Sequence, residues 1–130
     1  MKTVAASANG SGGTLLIGVC DDGSVTGIDQ DLASLGGSLD KFELYLTNLF
    51  DAQFPTAFWT NRVKVTFPSL GATRLCRVDV EASRQPLYVK VGDRNGAVAE
   101  RLFVRSGNSS HEMSASQIAA FVRDRFGQAV

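Results

Sequence analysis

The chain has little of what most specialised chemistries require. Its 130 residues include two cysteines, Cys20 and Cys76, and one histidine, His111. Neither cysteine has a second cysteine or a histidine at ligand spacing, which argues against a zinc site and against a disulfide-stapled secreted scaffold. Net charge is also missing. Thirteen Lys and Arg balance thirteen Asp and Glu, so the chain is not a histone-like or polybasic binder. Long apolar runs are absent too. The longest, Leu15–Cys20, is too short to span a bilayer. Met1–Ser7 lacks the basic and apolar regions of a signal peptide. The expectation is a cytoplasmic protein with no membrane association.

What is present is the composition of a folded domain. Hydrophobic residues make up 44% and charged residues 20%, a balance at which chains collapse rather than stay disordered. The length suits one domain over residues 1–130, and 13 glycines imply many tight turns. The charge is unevenly spread. Residues 1–60 hold two basic and seven acidic side chains, whereas residues 61–130 hold eleven basic and six acidic. Either the halves pack against each other or the second half builds a basic face.

Periodicity gives the elements. Val4, Ala5, Ala6 and Ala8 suggest a helix closed by Asn9-Gly10-Ser11-Gly12-Gly13. Thr14–Cys20 reads as a buried strand, Asp21-Asp22-Gly23 as a turn, and Val25–Ile28 as a short return strand. Ser38 is placed to cap a helix over Leu39–Phe54 that Pro55 ends. Arg62–Phe67 and Arg74–Val80 alternate as strands, the second with Cys76, Val78 and Val80 inward. Leu87–Val91 and Arg101–Arg105 flank a hairpin signal at Asn95-Gly96. Ser114 and Gln117 have capping-box spacing before a helix with Ile118, Phe121, Val122 and Phe126 on one stripe. The fold class is therefore α+β: one domain, a mixed or mainly antiparallel sheet, and about three helices. Met1-Lys2-Thr3 reads as an entry into the middle of a helix, as in a fragment of a longer protein that lacks its N-terminal segment and its flanking domains.

Two segments about 90 residues apart carry a family resemblance. The stretch from Lys2 to Asp31 holds an Ala-Asn helix end, then Gly12-Gly13-Thr14-Leu15-Leu16-Ile17-Gly18-Val19 and acidic residues. Arg105-Ser106-Gly107-Asn108-Ser109 precedes the last helix. Together they resemble the two signatures of the Schlafen-type AlbA-like domain. The resemblance runs over nearly the whole chain, from Lys2 to Phe126. It implies a DNA-binding module of the kind found in bacterial regulators and helicase-like proteins. In vertebrate Schlafens a related core cleaves structured RNA with metal-holding carboxylates. Here the chain is expected to be a fragment without the segment that would carry the upstream glutamates, and Cys20 stands where the first acidic residue is expected. No catalytic residue is assigned, and an enzyme is the less favoured reading.

The candidate ligand contacts follow. Arg105, Asn108, Ser109 and Ser110 offer a guanidinium, an amide and hydroxyls suited to phosphate oxygens, in a loop between a strand and a helix. That loop is equally able to satisfy its own backbone. Arg101, Lys90 and Arg94 would extend the contact along the strands, with Arg62, Lys64, Arg74, Arg77 and Arg84 as further basic positions. Gly12 and Gly13 allow either a plain turn or close approach of backbone N–H groups to a phosphate. No Lys-Ser or Lys-Thr follows them at P-loop spacing, so they do not form an ATP site. Asp21 and Asp22 are the candidate ligands for Mg²⁺ or Mn²⁺, a cofactor needed only by a nuclease-like activity; the alternative is a solvated turn. His111 is expected at the surface. Trp59, Phe58 and Tyr88 could stack on bases, although Phe58 and Trp59 are rather expected to pack beneath the loop after the Leu39 helix. The partner expected is DNA or RNA. A rival reading makes the chain a protein-interaction module that dimerises through exposed strands.

Overall fold

The fold is arranged around its first helix, whose residues Val4 to Asn9 are all buried. The computed structural model describes residues 1–20 and 22–127. In chain order the first half contains α1 (Lys2–Asn9), β1 (Gly13–Ile17), α2 (Asp29–Ser34), α3 (Leu39–Gln53) and α4 (Thr56–Arg62). The second half contains β2 (Val63–Thr66), β3 (Ser69–Leu70), β4 (Thr73–Arg74), β5 (Cys76–Val80), β6 (Tyr88–Gly92), β7 (Val98–Ser106), β8 (Ser109–Glu112) and α5 (Ala115–Phe126).

A helix as short as α1 is not stable alone, so tertiary packing must hold it. It lies against strands of two three-stranded sheets, ordered β1-β5-β2 and β6-β7-β8. Ala5, Ala6 and Ala8 add almost no side-chain volume, which lets strands approach it from several sides. All the pairings are antiparallel. In the first sheet Leu15, Val78 and Val65 stand in one row, and Cys76, Val78 and Val80 point inward as their alternation predicts. The helix α3 closes the core with Phe42, Leu46 and Phe50 at four-residue spacing. Each such burial contributes roughly 1.5–3 kcal/mol relative to exposure.

Several local expectations are corrected. Strand β1 is not buried: it is an edge strand, and Leu16 on its outer face stays exposed because no layer covers that side. The return strand at Val25–Ile28 reduces to a single bridge between Val19 and Val25. Among the described residues there are five helices, the two beyond the expected three being the short α2 and α4. Pro55 ends α3 but also sits at the N-cap of α4, where its missing N–H costs nothing. Asp51 ties the two helices, accepting from Thr56 Oγ1 and Trp59 Nε1 at 3.0 Å each. Phe58 and Trp59 thus belong to a helix, with Phe58 in the core. Ser38 caps α3 as expected, accepting from the Lys41 N–H. Ser114 precedes α5, but its hydroxyl bonds the Gln117 side chain at 3.0 Å instead of a backbone N–H.

Candidate functional site

Asn9 ends α1 with a fully buried side chain. Its Nδ2 donates to the carbonyls of Leu87, at 3.0 Å, and Phe103, at 2.8 Å, and its Oδ1 accepts the Leu87 N–H at 2.8 Å. Both amide N–H donors and the amide oxygen are engaged, and the side chain pins the end of α1 to the β6-β7-β8 sheet. The chain then turns. The Ser7 carbonyl accepts from the N–H groups of Gly10 and Gly12. Gly12 has φ +91°, and a Cβ there would lie 2.6 Å from the Val80 carbonyl oxygen. A Cβ on Gly13 would come 3.1 Å from Ser7 Oγ. Gly12 is therefore required by its conformation and by close packing, whereas a side chain at position 13 would need only a small shift of Ser7; the Gly12 N–H is already engaged inside the turn.

The second glycine-rich segment is a hairpin rather than a loop. Strand β7 runs to Ser106 and β8 starts at Ser109, with Arg105 opposite Ser110. Gly107 takes φ +60° and Asn108 a negative φ, the pattern of a type II′ turn. The hairpin tip reaches the glycine turn after α1. Ser7, Gly10, Ser11, Gly12, Arg105 and Gly107 line one polar cleft of about 320 Å³. Among the described residues the Arg105 guanidinium has no carboxylate within ion-pair distance.

A helix C-terminus presents carbonyls and would repel an anion. Arg125 of α5 offsets this, donating from Nη2 to the Gly10 carbonyl at 2.6 Å and to Ser83 at 3.3 Å. The sequence reading missed Ser7, Ser11 and Arg125. The serines carry a weak signal, being four residues apart at a helix end; Arg125 carries none, since it arrives from 115 residues away.

The other candidates do not all gather here. Asn108, Ser109 and Ser110 sit at the hairpin tip. Arg101 shares the face of β7 that bears Arg105, by two-residue alternation, but both oxygens of Glu112 neutralise it at 3.1 Å. Its Nε is buried without a hydrogen-bond partner. Lys90 stands opposite Glu100 and so projects from the other face of the sheet. Arg94 lies in the β6–β7 turn, at the far end of β7, roughly 30 Å from the cleft at strand rise. That turn is a hairpin as Asn95-Gly96 predicts, yet only Gly96 has positive φ, and the Asp93 carboxylate organises it by accepting from the N–H groups of Asn95 and Ala97.

Asp21 lies outside the described residues. Asp22 is exposed, and its Oδ1 accepts from the Ser24 hydroxyl and N–H; those bonds hold its carboxyl below the usual range. Among the described residues no three His, Cys, Asp or Glu side chains gather to hold a metal ion. His111 is exposed on β8, as expected. On the outer face of the first sheet, Thr14 Oγ1 and then Arg77 hold the Asp79 carboxyl low. No helix among the described residues is long and apolar enough to cross a membrane.

Comparison with known proteins adds a family and a fold. The family model described as Schlafen, AlbA_2 matches residues 1–114. No curated protein matches the chain. Among solved structures the chain resembles the DIP2311 protein from Corynebacterium diphtheriae, at 22% identity and a TM-score of 0.56. The similarity covers 98% of this chain and 21% of that one, so the chain spans about a fifth of that protein's length.

Proposed function

The chain belongs to the Schlafen AlbA_2 family, and from the geometry of its polar cleft we propose that it binds nucleic acid through the phosphate backbone. One observation carries this reading. The two glycine-rich segments, far apart in sequence, converge on a single cleft whose guanidinium, Arg105, is left unpaired while Arg101 and Arg77 are neutralised by Glu112 and Asp79. A free guanidinium beside hydroxyls is the arrangement that takes phosphate oxygens in bidentate fashion. Asn108, Ser109 and Ser110 at the hairpin tip supply further contacts. Lys90 and Arg94, on another face and at the far end of the sheet, contribute only to the general field. Such a module suits a regulatory or helicase-like protein, where other domains supply sequence choice or catalysis.

Titration of labelled DNA and RNA at two salt concentrations tests this. Wild type is expected to bind at low salt and weaken as salt rises. Arg105→Ala is expected to reduce the salt slope by about 0.7–0.9, the value of one phosphate contact. Arg101→Ala, whose charge is already paired, should leave the slope close to wild type. A folded sample that binds neither polymer at low salt would remove the proposal.

A further inference from the structure

A second cleft, of about 260 Å³, opens between α4 and the segment joining β5 to β6. Its floor is apolar, formed by the buried side chains of Phe58 and Leu87. Its rim is polar and carries Asn61, Arg62, Arg84 and Gln85. Arg62 is fixed in place by donating to the Ala82 carbonyl at 2.9 Å, and its Nη1 lies 3.9 Å from the exposed Glu81 carboxylate. The side chains of Asn61, Arg84 and Gln85 are exposed and make no hydrogen bond among the described residues. The combination of an apolar floor, the unpaired Arg84 guanidinium and two free amides fits an anionic ligand with a flat apolar part. A nucleotide has that chemistry: its phosphate pairs with guanidinium, and its base edge exchanges hydrogen bonds with amides.

The second cleft adjoins the first. Ser83 lines one and Gly10 the other, and the same Arg125 nitrogen bonds both of their carbonyls. The Ser83 N–H also donates to the Ala8 carbonyl at 2.8 Å. Cationic groups thus run from Arg105 through Arg125 to Arg84, while Arg62 beyond them is paired with Glu81. We propose that the cleft beneath α4 is a second nucleotide subsite, which takes a neighbouring unit of the same single strand whose phosphate is held at Arg105. This rests on the binding function proposed above.

The test is a length series of single-stranded oligonucleotides, from about two to about ten nucleotides, which spans the lower site sizes of single-strand-binding folds. Wild-type affinity is expected to rise by about tenfold or more once the strand reaches both clefts. In Arg84→Ala the ratio of long-strand to short-strand affinity should fall towards one, and Gln85→Ala should lower it in the same direction. Both side chains are exposed and unbonded, so the fold should survive, and circular dichroism checks it. A wild-type affinity that does not change with length, together with an Arg84→Ala variant equal to wild type, would overturn the subsite while leaving the Arg105 site standing. Saturable binding of free nucleoside monophosphates that Arg84→Ala abolishes, with no gain from strand length, would also overturn it, making the cleft a free-nucleotide site. If no oligonucleotide of any length binds, both readings fall together.

Discussion

Asn9 and Leu87 exchange two hydrogen bonds, the Leu87 N–H donating to Asn9 Oδ1 and Asn9 Nδ2 donating back to the Leu87 carbonyl. With the third bond to Phe103, this side chain joins the end of α1 to a sheet 78 and 94 residues further along the chain. In a buried setting, removing one partner strands the others. Asn9→Leu leaves the Leu87 N–H and two carbonyls without partners, so it should destabilise the domain by about 3 kcal/mol or more. Urea unfolding measures this. An unchanged midpoint would mean that the three bonds add nothing net.

The glycines differ in what they protect. At Gly12 positive φ coincides with a backbone oxygen 2.6 Å from the missing Cβ, whereas at Gly107 positive φ faces open space. Gly107→Ala should therefore cost only the conformational strain, about 1–2 kcal/mol. Gly12→Ala adds a clash that can be relieved only by moving β5 or the turn, and should cost at least about 3 kcal/mol. Equal unfolding midpoints for the two variants would contradict the packing described for Gly12.

Elements that bury a regular face were legible in the sequence. Ser38 and the spacing of Phe42, Leu46 and Phe50 locate α3, and the alternation of Cys76, Val78 and Val80 locates β5. Strand β8 was not legible, because Ser109-Ser110-His111-Glu112 has no apolar alternation; it forms by backbone pairing to the ordered β7. The buried reading of β1 failed for a related reason: Leu15-Leu16-Ile17 is apolar on both faces, and composition does not reveal that the sheet is covered on one side only. At the candidate site, the resemblance marked both segments. Which arginine stays free could not be read, since the pairing of Arg101 with Glu112 depends on the register of β7 and β8.

Cys76 gives the domain an alkaline limit. Its thiol is fully buried, and burial, with a smaller contribution from the charge of Glu43, pushes its pKa from the ordinary 9.0 up to about 11. The folded state therefore keeps the proton through a range in which the unfolded chain has lost it. Unfolding releases that proton, so stability falls as pH rises from about 9 to about 11. The loss should be on the order of 2 kcal/mol. Cys76→Ala removes this contribution, though not that of the lysines and tyrosines that titrate nearby. The quantity to measure is the difference between the two pH–stability curves. Curves that stay parallel from pH 8 to pH 11 would rule the effect out.

Helix α5 is held by a half-buried apolar stripe and by one charged side chain near its end. None of its residues is fully buried, including Ile118, Phe121, Val122 and Phe126. Arg125 adds directional contacts, bonding the carbonyls of Gly10 and Ser83 while its guanidinium lies 4.5 Å from the Phe126 ring centroid. Hydrogen bonds from a charged donor contribute about 1.5–3 kcal/mol. Arg125→Ala should therefore release α5 and speed hydrogen exchange of its amides by about tenfold or more, while α1, β5 and β7 keep their protection. Arg125→Lys should fall between the two, because an ammonium lacks the planar fork that spans two carbonyls. Wild-type protection of α5 in Arg125→Ala would show that the half-buried stripe alone is enough to hold the helix.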